Sequence, residues 1–116
     1  LGATYWNPYA RGMISGLSRG TRSAHIARAA LEGIAFQVND VIRCMSSDAK
    51  TPLHELRVDG GASQNNLLMQ IQSNLLQAKV IRPTITETTA LGAAYLAGLA
   101  ENVWKEKSSI KQNWKA

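Results

Sequence analysis

An α/β fold with parallel strand pairing is predicted by three features of the chain. Short β-type runs alternate with longer stretches of helical periodicity, and Pro, Gly or polar punctuation separates them. At Gly60-Gly61 a strand-like run breaks and helical spacing restarts at once, which makes a strand-turn-helix corner. A helix between two strands supplies the crossover that parallel neighbours need.

Taken in order, Leu1–Ala10 reads as a loop around Pro8, with Tyr5, Trp6 and Tyr9 expected to anchor it. Arg11–Arg19 alternates enough (Met13 and Leu17 against Ile14) to be a strand weakened by glycine. Thr21 or Ser23 is placed to cap a helix over 24–45. In that helix one row (Ile26, Ala30, Ile34, Val38, Val41, Met45) runs beside another (Ala27, Leu31, Ala35, Val38, Ile42). Two adjacent rows predict burial over a wide face. Ser46–Pro52 is a polar linker and Glu55–Asp59 a strand. Ser63 is then an N-cap for a helix to Leu76 with Leu68, Ile71 and Leu75 on one side. Val80–Arg82 is a further strand, stopped by Pro83. Thr88 or Thr89 caps the last helix, Ala90 to about Trp104. Its small residues Ala90, Ala94, Ala97 and Gly98 share one face, expected to allow close packing, and Leu91, Tyr95 and Leu99 the next.

Three strands make a poor parallel sheet, because such a sheet needs both faces covered and its edges protected. The sheet is therefore expected to continue on strands from elsewhere. The opening on Leu1 without Met or a signal pattern, and the polar close, read in the same way, as an excised piece.

Composition narrows the function. At 116 residues the chain is one domain at most. The net charge of +5 suggests nucleic acid, but Lys105, Lys107, Lys111 and Lys115 against Glu106 place +3 of it in a basic tail, residues 105–116. The aromatics at Tyr5, Trp6 and Tyr9 lie far from those lysines, without the interleaving of a stacking platform, so nucleic-acid binding is not expected. The apolar stretch Ala90–Ala100 is too short and too rich in Gly and Ala to span a bilayer, and a soluble protein is expected. A lone Cys44 fits a reducing compartment and a packing role. His25 and His54 are far apart with no partner at ligand spacing, so no metal site is expected.

The residues that point to a ligand are Gly60 and Gly61. Two glycines at a strand-helix corner let the backbone turn through φ > 0 and let a ligand approach where a Cβ would block it. The helix behind presents unpaired N–H groups, an arrangement that suits a nucleotide. Asp59, at the strand end, caps the turn or hydrates the site and is assigned no catalysis.

Further runs carry a resemblance. Gly12-Met13-Ile14-Ser15-Gly16-Leu17, then His25-Ile26, then Ala29-Ala30-Leu31-Glu32, resemble the second consensus pattern of the FGGY carbohydrate kinases. Leu1–Gly12, Val58–Asn66 and Thr86–Ala100 are similar to the members that phosphorylate glycerol, rather than to those acting on xylulose or gluconate. The resemblance covers residues 1–104 and weakens beyond Trp104. It implies a ribonuclease-H-like lobe of the actin, Hsp70 and hexokinase superfamily, with this chain forming part of the C-terminal, nucleotide-binding lobe. It also implies that Gly60 and Gly61 lie beside the adenosine of ATP, with Asn65 within hydrogen-bonding reach. Asn65 is then expected in the first helical turn, where an amide can donate to and accept from a purine edge.

The implied reaction transfers the γ-phosphate of ATP to glycerol with Mg²⁺, giving sn-glycerol 3-phosphate. In the family the catalytic Asp, the glycerol-binding residues and the phosphate loops lie upstream, so none falls in this chain. The fragment alone is accordingly expected to be inactive and to bind no cofactor tightly. Its implied partner is the remainder of the kinase chain, in a cytoplasmic homo-oligomer. The alternative is a standalone, non-catalytic binding or interaction module on the same fold. Three positions depart from the family's usual pattern: Asn74 for Asp, Gln77 for Gly and Asn102 for Gly. Gln77 removes the residue best suited to a left-handed helix end, at a cost of about 1 kcal/mol, whereas Asn102 tolerates that conformation.

Overall fold

In the computed structural model, which describes residues 1–113 and 115, the chain runs α1 (Ser23–Ala49), β1 (Glu55–Arg57), a 3₁₀ turn (Gly61–Gln64), α2 (Asn66–Leu76), β2 (Lys79–Ile81), α3 (Thr88–Ala100) and α4 (Lys107–Lys111). β1 and β2 pair in parallel, Glu55 opposite Lys79, Leu56 opposite Val80 and Arg57 opposite Ile81. α2 is the crossover between them, as the alternation predicts. One further bond, from the Val58 N–H to the Ile81 carbonyl at 3.0 Å, carries the ladder towards the corner.

The expected strand over Arg11–Arg19 does not form. Gly16 sits at φ 75°, which breaks the extended run, and among the described residues no strand lies beside it. Met13, Ile14 and Leu17 stay exposed, Met13 at 85%.

The wide buried face expected of α1 is also narrower than its two rows suggest. α1 packs on α2, and the contact buries Ala35, Leu68 and Ile71 with Leu31, Met69 and Leu75 around them. Ile26, Ile34, Val38, Val41 and Met45 remain exposed. One helix of 11 residues cannot cover both rows of a helix of 27, which is about 40 Å long. The radius of gyration, 18.4 Å, compares with about 13 Å for a compact chain of this length. Three polar side chains are buried, Asn39, Ser63 and Gln72, and of these Asn39 Oδ1 and Gln72 Nε2 have no hydrogen-bond partner among the described residues.

Three helix ends close on non-glycine residues in the left-handed region. Lys50 (φ 50°) ends α1, Gln77 (φ 51°) ends α2 and Asn102 (φ 59°) follows α3. The strained end expected at Gln77 is therefore present, and its Nε2 donates to the Asn74 carbonyl at 2.6 Å in partial compensation. After α3 the Val103 N–H reaches the Gly98 carbonyl at 2.8 Å and the Asn102 N–H that of Leu99 at 3.3 Å, the paired bonds of a Schellman motif. That turn ends α3 at Ala100, before the expected Trp104, and folds the Trp104 ring back over Gly98 and edge-on to Tyr95, with centroids 5.2 Å apart. A Cβ on Gly98 would collide with the ring. Of the small-residue face only Gly98 is buried; Ala90, Ala94 and Ala97 face solvent.

Caps were the least legible feature. α1 is capped at Arg22, whose N–H donates to His25 Nδ1 at 3.2 Å, while Thr21 Oγ1 instead accepts from Ser18 N–H at 2.9 Å. α3 starts after Glu87 without a side-chain cap. Tyr5, Trp6 and Tyr9 are exposed and do not anchor their loop, which closes on backbone bonds such as Trp6 N–H to the Gly2 carbonyl at 2.8 Å. The basic tail includes α4 and returns to Pro83–Ile85, where the Thr84 N–H donates to the Lys115 carbonyl at 2.9 Å. Trp114 and Ala116 of that tail lie outside the described residues.

Candidate functional site

The C-terminal ends of both strands, the start of α2 and the start of α3 converge on Gly60-Gly61. Gly60 adopts φ 77° and ψ 174°, a region open essentially to glycine alone. The positive φ falls on Gly60 and not on Gly61. At Gly61 the space is what matters: a Cβ there would meet nothing within 4 Å, and the residue is exposed. The N–H groups of Gly61 and Ala62 make no hydrogen bond to any described residue, as expected at the start of a helical turn.

The backbone then enters the 3₁₀ turn rather than α2, and this moves the expected cap. Ser63 does not cap α2. It is 2% exposed, and its Oγ donates back to the Gly60 carbonyl at 2.7 Å while its N–H reaches the same oxygen at 3.1 Å. Asn65 is the N-cap, one position ahead of the first helical turn in which it was expected, and its Oδ1 accepts from the Leu68 N–H at 3.0 Å. The Asn65 Nδ2 amide has no partner among the described residues, so what this side chain offers a ligand is a donor.

Several residues that sequence reasoning did not single out hold the corner. The Gly60 N–H donates to the Thr86 carbonyl at 2.8 Å, and Gln64 Nε2 donates to Thr86 Oγ1 at 3.1 Å. Thr88 Oγ1 donates to the Asp59 carboxylate, tying the start of α3 to the end of β1. Asp59 thus serves as an acceptor bracing the corner. Arg82 donates from Nη1 to the Ser63 carbonyl at 2.7 Å and to Asn66 Oδ1 at 3.1 Å. The signal for these was the Thr86-x-Thr88 spacing just ahead of a helix and an arginine at a strand end, both opposite the glycine pair in a parallel unit.

A separate apolar cleft of about 780 Å³ lies between α3 and the returning tail, lined by Ile85, Leu91, Tyr95, Leu96, Leu99 and Ile110 among others. It does not include Gly60, Gly61 or Asn65. At the exposed glycine corner, backbone donors and open space coincide. Among the described residues no group of three or more His, Cys, Asp or Glu side chains is placed to hold a metal ion, and no helix is long and apolar enough to cross a membrane. Cys44 is half-buried on α1, 4.0 Å from Asp48 Oδ2.

The chain is similar to glycerol kinases over nearly all its length. It is 61% identical over 114 residues to that of Herminiimonas arsenicoxydans, covering 98% of this chain and 23% of the relative. It is 58% identical over 116 residues to that of Trichlorobacter lovleyi, covering 100% and 23%. The chain thus spans about a quarter of the length of the relatives it matches. A crystal structure of Plasmodium falciparum glycerol kinase with ADP superposes with a TM-score of 0.79 at 40% identity, over 98% of this chain and 23% of that one. Residues 1–101 match the FGGY family of carbohydrate kinases, C-terminal domain, and the chain belongs to that family.

Proposed function

We propose that this chain is the adenosine-binding part of a cytoplasmic, ATP-dependent glycerol kinase, with Gly60, Gly61 and Asn65 as the seat. The observation that carries the reading is the opening at Gly61, where a Cβ would meet nothing within 4 Å and the Gly61 and Ala62 N–H groups have no hydrogen-bond partner among the described residues. The likeness to a glycerol kinase solved with ADP supports the same ligand class.

In this reading the adenosine lies against the backbone at Gly60-Gly61, and Gly60 supplies the turn that exposes it. The N–H groups of Gly61 and Ala62 face electronegative atoms of the ligand. Asn65 holds the start of α2 through Oδ1 and donates to the purine through Nδ2. The phosphates and Mg²⁺ belong to the remainder of the kinase, which supplies the carboxylate that takes the glycerol proton. When bound, the metal would offset charge on the transferring phosphoryl group. The intact enzyme assembles as a homo-oligomer. A standalone module is disfavoured by the exposed apolar rows of α1 and residues 13–17, which call for a larger body to cover them.

Two preparations test the proposal. The 116-residue chain alone, assayed at high concentration for ATP-dependent glycerol phosphorylation, should give no turnover above a blank. A hybrid enzyme, in which the chain replaces the matching stretch of the Herminiimonas arsenicoxydans glycerol kinase, should phosphorylate glycerol. A correctly folded hybrid that binds glycerol but not ATP would overturn the assignment.

A further inference from the structure

Two glycines in succession have more conformational freedom to lose than any other pair, so a seat built on them needs an external brace. Most of the brace is backbone or short side chain. Arg82 differs, because it reaches from just past β2 across to the 3₁₀ turn. One Nη1 donates both to the Ser63 carbonyl at 2.7 Å and to Asn66 Oδ1 at 3.1 Å. Ser63 in turn holds the Gly60 carbonyl through Oγ and N–H, and Asn66 begins α2 directly after Asn65. A single guanidinium therefore bears on both halves of the seat. Pro83, buried behind Arg82, fixes the chain at the strand end from which it reaches.

We propose that Arg82 is a positioning residue for nucleotide binding, holding the 3₁₀ turn and the start of α2 in the conformation that receives adenosine. The inference rests on the corner being the nucleotide seat. Its physical basis is preorganisation: a turn held in its binding conformation before the ligand arrives loses less freedom on binding. A guanidinium serves two acceptors in a fixed plane, which an ammonium on a flexible stem does less well.

The test uses the hybrid kinase with Arg82→Met, Arg82→Lys and, for comparison, Gly61→Val. ADP affinity is measured by calorimetric titration, alongside KM for ATP, KM for glycerol and the melting temperature. Arg82→Met should raise the ADP Kd and the KM for ATP about three- to ten-fold, the scale of one or two exposed hydrogen bonds. KM for glycerol and the melting temperature should stay put, and Arg82→Lys should recover part of the loss. If Arg82→Met leaves ADP affinity intact while Gly61→Val destroys it, the positioning role is wrong and the seat stands. If neither variant affects ADP, the seat itself is wrong and the role falls with it. A loss of ADP affinity matched by equal losses in glycerol binding and melting temperature would make Arg82 a general structural residue and overturn the proposal.

Discussion

Replacing Gly61 by Val in the hybrid kinase should damage ATP use and little else. The structure separates the two glycines: the strained φ of 77° belongs to Gly60, whereas Gly61 is exposed, with nothing within 4 Å of the point a Cβ would occupy. The Cβ of a valine at 61 therefore meets no protein atom, and the cost to folding should stay within about 1 kcal/mol, mostly reduced χ1 freedom. The ligand fares differently. Adenosine resting on the backbone sits at carbon contacts of about 3.5–4.0 Å, and a branched side chain occupies that layer. Retreat by an ångström forfeits much of the dispersion contact and lengthens the bond to Asn65 Nδ2, a loss of roughly 1.4–2.7 kcal/mol, which corresponds to about 10- to 100-fold in KM for ATP. Steady-state kinetics with each substrate varied in turn, with thermal melts as control, give the answer. Gly60→Ala is the counterpart: it should cost about 1–3 kcal/mol of stability through backbone strain, with open space around its Cβ. If Gly61→Val changes neither ATP parameter in a folded enzyme, the glycine pair is an ordinary turn and the adenosine assignment is wrong.

Asn65 carries two roles on two atoms, and substitutions separate them: Asn65→Asp should keep the cap and lose the donor, raising KM for ATP several-fold without loss of stability. Asn65→Ala should lose both, with a further 0.5–2 kcal/mol or so of destabilisation in urea titrations; equal ATP kinetics in the two variants and the parent would remove Nδ2 from the site. Gly98→Ala drives a methyl into the Trp104 ring and should destabilise by about 1–3 kcal/mol, visible as altered tryptophan fluorescence; a neutral effect would mean the ring is not seated there. Removing the unpaired buried groups together, as Asn39→Leu with Gln72→Met, should leave stability unchanged or raise it by about 1–3 kcal/mol, and a large loss in chemical denaturation would reveal a partner for them. The 116-residue chain alone should self-associate through its exposed α1 rows; a monodisperse species by light scattering, with strong amide protection along α1, would count against that.

The strand-helix order, the parallel pair and the glycine corner were legible because each rests on local physics: periodicity, punctuation and the special freedom of glycine. Asn102 was legible for the same reason, since a short amide side chain tolerates the left-handed turn that closes α3. What the sequence did not disclose depends on partners distant in the chain. Arg11–Arg19 has strand-like alternation, but a strand exists only against a neighbour, and among the described residues none lies beside it. The rows on α1 record everything that helix is suited to cover, whereas burial here is set by α2 alone. At the site, Gly60, Gly61 and Asn65 are brought together by their own short turn. Arg82, Thr86 and Thr88 join them only once β2 lies beside β1, a juxtaposition that residue spacing does not reveal.

The brace between Asp59 and Thr88 links positions 29 apart, and every residue of the corner, Arg82 included, falls within that interval. The corner is therefore a contiguous cassette. One exchange of sequence could carry the glycine turn, the cap and the bracing arginine together into another kinase of this fold, provided that the host's α1 accepts the Leu68, Ile71 and Leu75 face of α2, which travels with them. Under the proposed adenosine assignment, nucleotide preference would then change in a single genetic step, with the rest of the kinase untouched.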